Sequence, residues 1–318
     1  MISKAHRTSS MVSLARILPL DLRAKENDEL YKIKIGKPLP QLPGRELAKP
    51  VSPYTLLHPP ERQKLSYSSI TTEDELKSME NEWPCIYTDG SKIAGRVGAA
   101  ITCWKEGQEI YKARLKLGNH CSVYQAELAA ILKATEVIQS KHTLRKANIL
   151  SDSQSALECL TNPNTLHPLA AEILDRILEI RRNQGEVRFF WIKENCGIPG
   201  NERAVELGKS AAETSKQKPA FDCFPLSFAR RLIRDNIMQN WQERYTTAET
   251  GRVTKKFFSS VTHAYKTMTK FHINNLRYQI FTGHGGFKAY LHKFKVAQSP
   301  CCDCDQTTPQ IAEFYAQF

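Results

Sequence analysis

Three carboxylates stand in short contexts that otherwise read as core. They are Asp89 in Tyr87-Thr88-Asp89-Gly90-Ser91-Lys92, Glu127 in Gln125-Ala126-Glu127-Leu128-Ala129-Ala130, and Asp152 in Leu150-Ser151-Asp152-Ser153-Gln154-Ser155. An isolated carboxylate is costly to bury unless it is paired or bound to a metal. Three that converge from separate elements form an all-oxygen site suited to a hard divalent cation, the setting that metal-dependent hydrolysis of a phosphate ester needs. Each residue also has a purely structural reading. Asp89-Gly90-Ser91-Lys92 can be a hairpin turn, Glu127 a solvated helix residue, and Asp152 the N-cap of the next helix. What sets the three apart is their combination in the order Asp, Glu, Asp, with a strand or helix pattern around each.

The elements that must carry these residues follow from periodicity. Residues 85–90 alternate as a strand, with Cys85, Tyr87 and Asp89 on one face and Ile86 and Thr88 on the other, so Asp89 is the polar end of a buried row. Val97 to Trp104 and Glu109 to Leu117 read as the next two strands, with turns at Gly95 and at Lys105-Glu106-Gly107-Gln108. A helix is predicted from about Ser122 to Ser140. It sets Glu127 three residues after Tyr124 and four before Ile131, on or beside the buried stripe. A strand ending at Asp152 follows, then a short helix broken near Asn162-Pro163-Asn164 and an amphipathic helix over 168–183 with Leu169, Ile173, Ile177 and Ile180 at helical spacing. Glu186 to Lys193 is the last strand and Pro199 to Glu213 the last helix. Three meandering strands followed by alternating helix and strand imply an α/β domain with a mixed five-stranded sheet and helices on both faces.

The three acidic motifs and this element order resemble ribonuclease H of type 1, over about residues 81–215. The resemblance implies a metal-dependent enzyme that hydrolyses the RNA strand of RNA–DNA hybrids. It implies Asp89, Glu127 and Asp152 as catalytic residues and metal ligands, with Asp89 bridging two Mg²⁺ ions and Mn²⁺ as a possible substitute. The chain departs from the family in its last motif. In Glu194-Asn195-Cys196-Gly197-Ile198-Pro199-Gly200-Asn201-Glu202-Arg203-Ala204-Val205-Glu206-Leu207 the framework is kept. Asn195 stands where the family has histidine, and Val205 where it has a fourth aspartate. Valine cannot ligate a cation, and asparagine cannot shuttle a proton near neutral pH. Glu206, turned about 100° around the helix from Val205, reads as a solvated residue. The expectation is weakened catalysis, with a hybrid-binding protein that does not cut as the alternative. A purely structural interaction module leaves the three carboxylates unexplained.

Charge separates the chain into parts. Of 318 residues, 41% are hydrophobic and 25% charged, with net charge +12. Residues 81–215 carry 17 basic and 16 acidic groups, whereas 216–300 carry 15 and 4. This basic, mainly helical region over 216–318 interleaves Trp241, Tyr245, Phe257, Phe258, Tyr265, Phe271, Tyr278 and Phe281 with its charges. It reads either as a phosphate-contacting, base-stacking surface or as a basic helical domain whose aromatics are core. Residues 1–80, with Pro38, Pro40, Pro43, Pro50, Pro53, Pro59 and Pro60, read mainly as an irregular connector.

The flanks extend the resemblance. Ala15 to Glu26 looks like the end of a reverse transcriptase module of non-LTR retrotransposons. Leu276 to Leu291, with Gly283-His284-Gly285-Gly286 at its centre, resembles the segment that insect-type elements carry before a terminal zinc-binding motif. Cys301, Cys302 and Cys304 sit where that motif begins, without its downstream histidine and cysteine, and read as orphaned ligands. The chain thus reads as part of a retrotransposon polyprotein. Nine cysteines without a secreted framework, and no apolar run approaching about 20 residues, favour a cytoplasmic or nuclear protein with no membrane partner.

Overall fold

The computed structural model describes residues 17–35, 37–38, 40, 46–56, 58, 61–62, 64–194, 197–214, 218–270 and 274–312. They fall into two compact units, Pro38–Ala229, and Met1–Lys37 together with Arg230–Phe318. The second unit begins with helix α1, Leu20–Lys34. The first unit holds a sheet.

Its elements are, in order, β1 (Tyr67–Ser69), α2 (Glu73–Glu82), β2 (Cys85–Ile93), β3 (Arg96–Lys105), β4 (Gln108–Leu117), α3 (Val123–Ser140), β5 (Lys146–Ser151), α4 (Gln154–Thr161), α5 (Pro168–Arg182), β6 (Glu186–Trp191) and α6 (Pro199–Thr214). The strands lie in the order β1-β6-β5-β2-β3-β4. β2, β3 and β4 run antiparallel, while β5, β6 and β1 run parallel to β2. The two hairpins close through Ala94-Gly95 and Glu106-Gly107, all four residues at positive φ. That geometry belongs to two-residue turns whose twist matches paired strands. The sheet has six strands, one more than the sequence pattern implies. The extra strand, β1, is three residues long and adds to β6 from a segment that reads as connector. The Pro-rich stretch before it is held by backbone hydrogen bonds, with Phe224 N–H donating to Glu46, Ala48 N–H to Phe224 and Val51 N–H to Leu166.

Both faces of the sheet are covered. Ile86, Ile101 and Ile149 face a core built with Leu128 and Ile131 of α3 and Ile173 and Ile177 of α5. Cys85, Tyr87 and Leu150 face the other way, against Ala204 of α6 and Leu76 and Met79 of α2. Helix α3 starts at a capping box, Ser122 with Gln125, and α2 at another, Thr72 with Glu75. Two close approaches fix the helices that matter for the acidic residues. A Cβ placed on Gly90 of β2 would lie 2.5 Å from the backbone nitrogen of Glu127, so α3 can reach β2 only because no side chain intervenes. Gly98 of β3 would likewise clash with the backbone of Gly208 and Ala212, and α6 packs there.

The helical unit continues with α7 (Leu226–Thr247), within which the division of the chain falls, then α8 (Arg252–Phe257), α9 (Val261–Lys270), α10 (Asn275–Thr282) and α11 (Lys288–Lys293). Trp241, Tyr245 and Phe258 are fully buried, and Phe257, Tyr278 and Phe281 pack beside Phe258, Ala264 and Met268. Trp241, Tyr245 and Phe258 are therefore core, Phe257, Tyr278 and Phe281 are partly buried against it, Tyr265 is half-buried, and Phe271 lies outside the described residues. The Tyr245 hydroxyl donates to the Phe258 carbonyl at 2.7 Å, satisfying the polar end of a buried ring. No helix among the described residues is long and apolar enough to cross a membrane.

Candidate metal centre

Strand β2 carries Asp89 under helix α6. Thr88 of β2 pairs with Ser151 of β5, so the next residues along the two parallel strands, Asp89 and Asp152, emerge side by side. Asp89 and Glu127 are buried and Asp152 half-buried, and one carboxylate oxygen of each lies within 4.8 Å of the others. Among the described residues this is the one group of potential ligands gathered so closely. Cys301, Cys302 and Cys304 are free thiols and do not join such a group among the described residues.

Asp89 and Asp152 are each held by a neighbour. Ser91 Oγ donates to Asp89 Oδ2 at 2.6 Å, and Asn201 Nδ2 from the first turn of α6 donates to Asp152 Oδ2 at 3.4 Å. The Gly90 backbone N–H lowers the Glu127 carboxyl against the burial that raises it, and Glu127 Oε2 is buried with no hydrogen-bond partner. A Cβ on Gly208 would come within 2.5 Å of Asp89 Oδ2, so that glycine keeps open the space above the carboxylate. Asp89 lies inside β2 and not in a turn, and Asp152 does not cap α4, whose N-cap is Ser153 without a side-chain bond. The structural alternatives for these two residues therefore fail, and Glu127 is buried rather than solvated.

Electrostatics follow from burial. Desolvation pushes Asp89 up to about 6, opposed by the Ser91 hydrogen bond and by Lys209, and reinforced by Asp152 and Glu194. Glu127 is raised well above the ordinary carboxylate range by desolvation and by the charges of Asp89 and Asp152. Asp152 is raised by desolvation, with the Asn201 bond opposing. A cation would relieve all three at once, and an all-oxygen donor set with an unpartnered buried oxygen fits a hard divalent ion.

Val205 is half-buried on α6, three residues before Gly208, and so on the face that approaches Asp89. No carboxylate replaces it along the helix. Glu206 is exposed and bonded to Arg203 at 2.6 Å, as a solvated residue would be. Asn195 and Cys196 lie outside the described residues. Four site residues carry no role in the sequence reading. Ser91 could have been found, since strand alternation places it on the face of Asp89. Asn201 sits in the quoted framework without a signal of its role. Lys209 follows Val205 by four residues and so shares its face of α6, whereas Glu194, whose charge is felt by all three carboxylates, comes near only through the end of β6, which no local spacing reveals.

The sheet order, the two helical layers and the gathered carboxylates define an α/β domain of the ribonuclease H type. The sequence model of the ribonuclease H family matches residues 81–213, which are therefore a ribonuclease H domain within this chain. The chain is similar to Pol polyproteins of insect R1 non-LTR elements. It is 35% identical over 74 residues to the retrovirus-related Pol polyprotein of element R1 2 from Nasonia vitripennis, covering 23% of this chain and 18% of that one. It is 25% identical over 189 residues to the R1 Pol polyprotein of Popillia japonica, covering 58% of this chain and 71% of that one. The chain thus matches less than a fifth of the Nasonia protein. Among solved structures, ribonuclease H1 of Halobacterium salinarum NRC-1 superposes with a TM-score of 0.35 at 19% identity, over 42% of this chain and 98% of that one.

Proposed function

We propose that this protein hydrolyses the RNA strand of RNA–DNA hybrids, with Asp89, Glu127 and Asp152 as the catalytic carboxylates and Mg²⁺ as the natural cofactor. The observation that carries the reading is the gathering of three carboxylates with one oxygen each within 4.8 Å, together with a Glu127 oxygen that is buried without a partner. When bound, a divalent cation supplies a Lewis acid that activates water and offsets charge building on the scissile phosphate. The chain's own groups prepare that chemistry. Ser91 orients the carboxylate of Asp89 and Asn201 that of Asp152. Gly208 leaves room above Asp89. A hybrid is the substrate proposed because residues 81–213 match the ribonuclease H family, while the carboxylates account for the metal-dependent cleavage of a phosphodiester.

Val205 places an apolar side chain where a fourth carboxylate would strengthen the site, and Asn195 removes a group able to move protons. Turnover is therefore expected to be slow. The same observation supports the second reading, a protein that binds hybrid without cutting it. A labelled RNA–DNA hybrid incubated with purified protein in Mg²⁺, in Mn²⁺ and in EDTA distinguishes them. Slow metal-dependent cleavage is the expected result, and retained binding with no cleavage under any metal would leave the binder.

A further inference from the structure

The helical unit carries charge for which the sheet unit provides no use. Residues 250–300 contain nine lysines and arginines and no aspartate or glutamate. Trp241, Tyr245, Phe258 and Phe287 of this unit are buried, whereas Phe294, the residue after α11, is 58% exposed. Its centroid lies 5.0 Å from that of Tyr290, whose own ring stands 5.2 Å from His284.

The backbone around Phe294 is unusual. Val296 N–H donates to the Leu291 carbonyl and Lys295 N–H to that of His292, the bond pair of a Schellman helix end. That motif puts the residue after the cap in the left-handed region, where glycine is favoured. Here the residue is Lys295, at φ 59°. A side chain raises the energy of this conformation, so lysine weakens the helix end relative to glycine. The apolar contact that often closes the motif is also poor, since Val296 is 71% exposed. A helix end that sacrifices stability in two ways presents Lys293, Phe294 and Lys295 consecutively to solvent.

We propose that the turn after α11 is a binding platform for single-stranded nucleic acid. An unpaired base stacks on Phe294, and flanking phosphates meet Lys293 and Lys295. Every base has a π face, so stacking on an exposed ring needs no particular sequence, and lysines on either side follow the backbone of the strand. A duplex keeps its base faces inside its own stack, which makes the exposed ring selective for an unpaired strand. The platform is independent of the metal centre, and its test is run without metal.

Fluorescence anisotropy of the full chain with fluorescein-labelled oligouridine in EDTA, against a duplex of equal length, measures the affinity. Single strand should bind more tightly than duplex. Phe294→Ala should weaken single-strand binding about 5-fold or more, and Phe294→Trp should keep it. Lys293→Ala and Lys295→Ala should each flatten the slope of log affinity against log salt by roughly 0.7. Lys295→Gly separates function from folding, because it should raise the melting temperature while weakening binding. Wild-type affinity for oligouridine in both Phe294→Ala and Lys295→Gly overturns the proposal, as does tighter binding of duplex than of single strand.

Discussion

Asp89 sits where burial and mutual repulsion both favour its protonated form, and this makes its ionisation visible in stability. The group is raised from its ordinary value to about 6. Below about pH 3 it is protonated in folded and unfolded chains alike and contributes no penalty. As pH rises towards 6 the unfolded chain ionises first, so the metal-free fold loses stability, on the order of 3 kcal/mol by neutrality. Asp89→Asn should therefore leave hybrid cleavage undetectable while making the apo protein at least as stable as wild type. Its advantage should grow between pH 4 and 6 in urea titrations. Unchanged cleavage would remove Asp89 from the catalytic site. Val205 and Asn195 give the converse test. Val205→Asp returns a carboxylate to the face of α6 that approaches Asp89, and Asn195→His returns an imidazole able to assist proton transfer. Each should raise single-turnover cleavage on the order of 10-fold, and the pair more than either alone. Wild-type turnover equal to that of the double variant would mean that another group completes the site.

The site is assembled by close contacts between a strand and two helices, and those contacts are more demanding than the carboxylates themselves. Gly90→Ala would drive a methyl group to 2.5–2.9 Å from Glu127 N, Ala126 C and Ala126 Cβ, so α3 must shift away from β2. The expected cost is roughly 1–3 kcal/mol, read as a lower urea midpoint with cleavage lost in parallel because Glu127 moves with its helix. An unaltered midpoint would show that α3 has slack the packing does not suggest. Much of this arrangement is legible in the sequence. Alternation alone puts Asp89 on the Tyr87 face, the helical stripe buries Glu127, and turn residues delimit β2, β3 and β4. What escapes is tertiary. The strand β1 is too short and too close to prolines to show a period, and its pairing with β6 comes from backbone docking. Whether Asp152 caps a helix or faces a neighbour is decided by Asn201, 49 residues away. Glu194 gains its influence from the parallel alignment of β6 with β5, a relation between strands and not between nearby residues.

Across the chain, acidic chemistry and basic charge occupy different stretches. Residues 81–215 are nearly neutral, while 216–300 carry 15 basic and 4 acidic groups. Affinity for nucleic acid should thus be separable from turnover. In EDTA, hybrid binding by the full chain should fall with salt, by roughly 0.9 in logarithmic slope for each duplex phosphate contacted. Asp89→Asn should leave that slope unchanged, as measured by anisotropy across a salt series. A slope near zero would mean that the basic residues do not meet phosphate.

The sheet itself ends in strands that discourage recruitment of another copy. One border, β1, is three residues long, and the other, β4, is interrupted by a register shift opposite Cys103 and Trp104 and carries exposed Lys112 and Arg114. Open backbone donors and acceptors at a sheet border are templates for aggregation, and shortness, irregular pairing and cationic side chains each blunt that tendency. If the protein gathers on nucleic acid as proposed, where its local concentration climbs, these borders protect it against crosslinking its own sheets.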